Sequence, residues 1–360
     1  MFHCPTLIPN LAACKKTVRS LLILQVSFYY SLRFFPSTVE SLYSTGIYPY
    51  IAKAMRLGLG WIPFSFGDVV YSVAILMIIR WLWLSKMDLI SLSRKRYTQL
   101  FLSLNIILAL FHCMWGFNYY REPLHKVLDL DKNYSTEELK TVVYQLVFTS
   151  NQLHEQLQKI DSLPVSFTRS QSEIFDLAPI AFKKIDHIYP ALDYGNSSIK
   201  ESLLTMPLSY MGYSGYLNPL TGEAQTNAWI NNYKTPVLTL HEMSHQLGFA
   251  KENEANFIAI IAGMNHDDLY FQYSASIFAL RYCINDLYLK DPKAYEEIRP
   301  LIRDGVFKNY KELRDFWNQY KGVVEEVFKV TYDTYLKANN QPDGMETYSY
   351  VVALIVNYYK

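Results

Sequence analysis

Thr235-Pro236-Val237-Leu238-Thr239-Leu240-His241-Glu242-Met243-Ser244-His245-Gln246-Leu247-Gly248 reads as one short helix with reactive side chains gathered on a single face. Thr235 suits the N-cap, and Pro236 suits the first helical position, where its missing N–H costs nothing. Gly248 offers the stop, because glycine enters the left-handed C′ conformation without a Cβ penalty. Between these ends His241 and His245 lie four residues apart, so they share a face. Glu252 follows just after the turn as a possible third ligand. Two imidazoles and a carboxylate, with one position left open, describe a site for one catalytic Zn2+ ion.

The chemistry explains the residue types. Neutral imidazole nitrogens and a carboxylate suit a borderline-soft divalent ion. Such an ion lowers the pKa of a bound water to roughly 7. Glu242 follows the first ligand directly and leaves the ligand face at an angle that reaches this water, as a general base that then returns the proton to a leaving amine. The expected reaction is hydrolysis of a peptide or protein substrate. A non-catalytic alternative is a metal-binding membrane sensor or envelope assembly factor that holds a peptide uncut; pure metal binding would not require Glu242.

Glu252-Asn253-Glu254-Ala255-Asn256 offers two carboxylates for the third position. Here the chain resembles the gluzincin branch of the zincin metallopeptidases, whose third ligand is a Glu in an E-x-x-(A/S)-(D/N) context. The resemblance implies Glu252 as ligand, with Glu254 as the alternative, and Asn256 as a group that orients a histidine. The gap from His245 to Glu252 is shorter than in most gluzincins, so a tight turn at Gly248 has to bring the next helix straight back over the metal.

Long apolar runs are concentrated in the first 120 residues: Leu21–Phe35, Val69–Leu84 and Leu100–Trp115. Each is slightly short of the ~20 residues of a membrane span, and aromatic or weakly polar flanks extend all three. Lys15, Lys16 and Arg19 precede the first run, and Lys86, Arg94, Lys95 and Arg96 separate the second from the third. The positive-inside rule then places the N-terminus in the cytoplasm and the chain after Tyr120 outside a bacterial plasma membrane. Residues 1–120 are expected to form a three-helix membrane domain, and residues 121–360 an extracytoplasmic domain. Ile47–Leu59 fits an amphipathic helix on the outer surface. A motif inside a span, as intramembrane proteolysis would need, is disfavoured by the polar flanks of Thr235–Phe249. The net charge of +1 gives no sign of nucleic-acid binding, and scattered Cys4, Cys14, Cys113 and Cys283 form no disulfide framework.

Beyond residue 130 the chain is expected to be mainly helical. Ser135 and Glu138 form a capping box ahead of Leu139, Val142, Val143 and Leu146, in a helix reaching about Ile160. Gln171–Leu192 reads as one or two helices, and a break is expected near Asn265-His266-Asp267, with His266 at the surface. Leu203–Asn231 carries turn signals and short β-prone pieces; Ser214–Leu217 or Ala228–Asn231 is the candidate strand for pairing with extended substrate. Tyr348–Tyr359 is too short to span a membrane and reads as a core helix. Trp115-Gly116-Phe117-Asn118-Tyr119-Tyr120-Arg121, Gly215–Ala224, His241–Phe257 and Asp343-Gly344 with Tyr348 resemble an uncharacterised bacterial family. The resemblance implies three N-terminal spans and a zincin-like α+β metallopeptidase domain with a small β-sheet. It carries over Glu223 and Asn227 as candidate cleft residues. Tyr282, Arg281 and Tyr348 are candidates for stabilising an oxyanion.

Overall fold

The computed structural model describes residues 11–84, 94–230, 232–341 and 350–360. The N-terminal helices are α1 (Leu11–Ser31), α2 (Pro36–Val39), α3 (Tyr48–Leu59), α4 (Phe66–Leu84) and α5 (Arg94–Met114), with a π-helical turn over Glu40–Ile47 between α2 and α3. A 3-10 turn, Gly116–Tyr120, leads to α6 (Leu124–Val127), α7 (Thr136–Leu157) and α8 (Gln171–Lys183). Then come β1 (Ile199–Glu201), α9 (Thr205–Met211), β2 (Gly215–Leu217) and β3 (Ala224–Thr226). The rest is helical: α10 (Lys234–Gln246), α11 (Glu252–Met264), α12 (Leu269–Lys290), α13 (Pro292–Ile298), α14 (Asp304–Asn318), α15 (Val323–Ala338) and α16 (Tyr350–Tyr359).

Helix starts follow local chemistry. The capping box at Ser135 and Glu138 is formed in both directions, and Ser170 with Glu173 repeats it at α8. Helix α7 ends at Leu157, short of Ile160, because Gln158 turns to extended geometry. Its apolar stripe, Leu139, Val142, Val143 and Leu146, is buried in the same core as α10, α11 and α12. Helix α11 is apolar on every side and buried from Glu254 through Gly263, so it forms the centre of the molecule. Helix α16 joins this core. His266, expected at the surface, is buried instead: its ring stacks on Phe271, Nε2 meets the Leu177 carbonyl and Nδ1 accepts the Asp268 N–H.

The small sheet has the order β1-β3-β2, with β1 parallel and β2 antiparallel to β3. Ser214–Leu217 therefore supplies an edge strand. Ala228–Asn231 does not: Ile230 N–H closes a turn onto the Asn227 carbonyl, and Asn231 lies outside the described residues.

Among the described residues one helix, α4, is long and apolar enough to cross a membrane, against the three expected. Helices α1 and α5 match it in length, but Lys15, Lys16 and Arg19 in α1 and Arg94, Lys95 and Arg96 in α5 leave shorter apolar stretches. Helix α3 has the expected amphipathic pattern, yet its face of Tyr48, Ala52 and Arg56 is buried against protein.

Candidate metal centre

Helix α10 begins two residues earlier than the cap pattern suggests. The Asn232 carboxamide oxygen accepts the Lys234 N–H at 3.0 Å, while Thr235 Oγ1 donates to the Ile230 carbonyl at 2.9 Å. Thr235 is thus inside the helix, and Pro236 is its third residue. At the other end Gly248 adopts φ +86°, as the tight turn requires. A Cβ there would also lie 2.9 Å from Asn118 Oδ1 and from Tyr48 Cε1.

The buried C-terminal carbonyls of α10 have no intrahelical partners and need donors from elsewhere. The N-terminal segment supplies them. Trp115 Nε1 donates to the His245 carbonyl at 2.9 Å, and the Tyr48 hydroxyl donates to the Gln246 carbonyl at 2.9 Å. Arg121 Nη1 donates to the Gly248 carbonyl at 3.0 Å. Arg121 is itself clamped by Glu40 through bonds of 2.9 and 2.6 Å. Residues on both sides of position 120 therefore build one site.

His241, His245 and Glu252 converge as a group able to hold a metal ion. The two Nε2 atoms are 3.1 Å apart; Glu252 Oε2 lies 3.3 Å from His241 Nε2, and Glu252 Oε1 lies 3.7 Å from His245 Nε2. Ligand atoms ~2.0–2.1 Å from a tetrahedral divalent ion stand about 3.4 Å from one another, and the two imidazoles and the carboxylate approach one another at separations of that size. The His245 Nδ1–H donates to the Phe249 carbonyl at 2.7 Å, which leaves the Nε2 lone pair facing the cluster. The Tyr332 hydroxyl donates to Glu252 Oε1 at 2.5 Å. Among the described residues, buried Glu242 Oε2 and His241 Nδ1 have no hydrogen-bond partner. Both atoms belong to the motif helix, and a bound ion or its water could satisfy them.

The charges of the four side chains depend on one another. Burial alone would lower the His241 pKa, but the Glu252 carboxylate reverses that and raises it. Burial pushes Glu252 up, and the hydrogen bond and charge of His241 more than offset it, leaving the carboxyl at about 2. His245 is pushed down to about 4 by burial and by His241. Glu242 is pushed up to about 8 by burial, opposed by the charge of His241.

Other expected site residues lie elsewhere. Glu254 turns away from the cluster: its Oε1 accepts the Leu124 N–H at 2.9 Å, capping α6. Glu223 accepts the Phe66 and Gly67 N–H groups at 3.0 and 2.5 Å, so it caps α4 and is no cleft residue. Asn227 holds Ser209 Oγ at 2.8 Å and the Tyr213 carbonyl at 3.3 Å, fixing a turn. Asn256 lines the cavity, and its Nδ2 has no partner among the described residues; no bond to a histidine is formed. Tyr282 and Arg281 sit outside the cavity lining, and Arg281 reaches the Tyr233 hydroxyl at 3.4 Å. Tyr348 lies outside the described residues.

A cavity of about 830 Å3 opens above the cluster. Its walls are mainly apolar, with Leu208, Met211, Leu238 and Phe278 among them. Tyr332 and Lys234, which sequence reasoning missed, also face it; the Lys234 ammonium donates to Ser214 Oγ at 2.8 Å. Burial and the neighbouring Arg281 charge lower Lys234 to about 8. Strand β2 forms a rim of the cavity. The Ser214 carbonyl accepts the Asn227 N–H and the Asn218 N–H donates to the Glu223 carbonyl, at either end of β3, so Gly215 and Leu217 point their backbone groups toward the free edge. Gly215 is pressed against the site, since a Cβ there would stand 2.7 Å from Glu242 Oε1.

The family described as a protein of unknown function (DUF3810) matches residues 43–356, a span that includes the caps of α10 as well as α10 itself. No curated protein and no solved structure matches the chain.

Proposed function

The chain belongs to the DUF3810 family, and we propose that it is a membrane-anchored, zinc-dependent peptidase. The observation that carries this reading is the convergence of His241, His245 and Glu252 beside an unpartnered Glu242 carboxylate oxygen at the base of a cavity. The resemblance of His241–Asn256 to gluzincins accords with it. His241, His245 and Glu252 would hold the ion, which when bound supplies a water of lowered pKa and polarises the scissile carbonyl.

The protein groups do the remaining work. Tyr332 and the Phe249 carbonyl hold Glu252 and His245 in place. Glu242 accepts the proton of the attacking water on its free oxygen. The water oxygen bonds to the carbonyl carbon, the C–N bond breaks, and Glu242 returns the proton to the departing amine. The outward N–H and C=O groups of Gly215 and Leu217 align an extended peptide by strand addition. The apolar walls exclude bulk water.

Anchoring rests on α4, and α1 packs along α5. Val18 and Gln25 of α1 meet Asn105 of α5, and Tyr29 stacks on His112 at 3.8 Å, so these two helices run in the same direction. The C-terminal end of α5 meets α10 through Trp115, and the N-terminal end of α4 meets the sheet region through Glu223. Helix α4 therefore runs opposite to α5, as the second of three spans would. This supports a multi-pass bacterial plasma-membrane protein with a cytoplasmic N-terminus and an extracytoplasmic site.

The test uses the purified full chain. Glu242→Gln should abolish hydrolysis of a casein or mixed-peptide substrate while zinc content stays at wild type. His245→Ala should lose the zinc. Equal metal content in wild type and His245→Ala would overturn the metal site; unchanged hydrolysis in Glu242→Gln would overturn the mechanism.

A further inference from the structure

The cavity is not enclosed by the metal-binding core alone. One wall is Tyr71, Ala74 and Ile75 of α4, the helix long and apolar enough to span a bilayer. The start of α4 is fastened to the polar part of the molecule: Asp68 accepts the Leu203 N–H at 2.7 Å and Ser202 Oγ at 2.8 Å, and it also bonds the Tyr216 hydroxyl. From Asp68 to Ile75 the helix rises on the order of 10 Å. The cavity thus descends alongside α4 past the level at which that helix leaves the polar domain.

Further lining comes from α9 and α15. Phe328, Tyr332 and Tyr335 line the cavity from α15, and Tyr213, just after α9, packs edge-on to Phe328 and Tyr332. The outer side of α15 is apolar as well. Val323, Val327 and Val330 recur at helical spacing and are 77%, 57% and 68% exposed. Next to them α9 exposes Met206 and Tyr210. At the end of this rim Trp229 stacks on Tyr320, and Tyr210 meets the same ring edge-on. Exposed Trp and Tyr at the border of an apolar face are the side chains that settle among lipid headgroups. A monomer in water rarely carries such a continuous apolar face.

We propose that the outer faces of α9 and α15 seat in the interfacial layer of the bilayer that α4 crosses. The cavity then opens onto the membrane surface and admits polypeptide segments lying there, such as the stretch flanking another protein's membrane span. The occupant of the face is lipid because α9 and α15 line the same cavity as α4, the helix long and apolar enough to cross the bilayer, and expose apolar side chains beside it. The access route rests on the peptidase reading above; the lipid contact does not.

The experiment places the photo-crosslinking residue p-benzoylphenylalanine at Met206 or Val327 in the full chain, held in phosphatidylethanolamine–phosphatidylglycerol nanodiscs. Leu76 on α4 is the positive reference, and Lys293 on α13 is the aqueous one. The expected result is lipid adducts, read by intact-protein mass spectrometry, at positions 206, 327 and 76 and none at 293. Adducts at 76 but none at 206 and 327 would overturn the contact, even in a protein that hydrolyses peptides. Protein–protein dimers at 327 in place of lipid adducts would also overturn it, and would make the face a self-association surface. Lipid adducts in a chain whose Glu242→Gln variant still hydrolyses would support the contact and remove the access route.

Discussion

Gly215 shows how much one side chain decides at this site. Its hydrogen lies where a methyl would meet both Glu242 Oε1 at 2.7 Å and the Gln225 carbonyl at 2.6 Å. The carbonyl belongs to the paired strand and cannot yield, so Glu242 must. A Gly215→Ala variant should bind zinc like the wild type and lose activity on the order of 10²-fold, the size expected when a reacting group is misplaced by about 1 Å. Parallel metal analysis and initial rates check this; full activity would mean that Glu242 is not the base. At this scale the histidine pair was legible, because two histidines four apart on a helix are a local pattern. Tyr332 was not. It reaches Glu252 across 80 positions of sequence, and among 30 tyrosines nothing local distinguishes it.

At the scale of elements, α10 is held by what caps its end. Tyr48, Trp115 and Arg121 each satisfy one C-terminal carbonyl, and Arg121 also neutralises Glu40. An Arg121→Met change removes the guanidinium that lies over the Phe249 ring, leaves Glu40 with only the Tyr189 hydroxyl, and orphans the Gly248 carbonyl. Breaking a buried pair from one side should cost about 3 kcal/mol of stability. Denaturant unfolding of the full chain in detergent measures it, and a loss under about 1 kcal/mol would show that water replaces the guanidinium. The run from Trp115 to Arg121 drew notice in the sequence as a family-like signature. Its role in capping α10 was invisible there, because its partners lie about 130 residues away.

For the whole molecule, metal and protons compete. In the metal-free fold the raised pKa of His241 gives stability that is present below 6.5 and lost as pH rises through the folded value. Zinc needs His241 neutral, so binding grows in the opposite direction. Glu242, at about 8, must also yield its proton, whereas His245 at about 4 and Glu252 at about 2 are already in the ligand state near neutrality. The rise in melting temperature on adding zinc should therefore be large at pH 8 and shrink on acidification through the His241 titration. A shift independent of pH between 8 and 6 would exclude His241 as a ligand, because a ligand nitrogen cannot keep its proton.

Sequence alone determined what depends on near neighbours: the helical pairing of the histidines, the turn at Gly248, the apolar stripe of α7, and the apolar run of α4. These follow from period, capping and φ preference, which act within a few residues. Only the tertiary structure decided which carboxylate joins the histidines. Glu252 and Glu254 sit two residues apart at the start of α11, about 200° apart around its axis. Packing turned one toward α10 and gave the other to the N-terminus of α6. The same packing sent Glu223 to cap α4 and brought α4 and α15 to the lining of one cavity. Those choices depend on which surfaces are buried together, a property that no single stretch of chain carries.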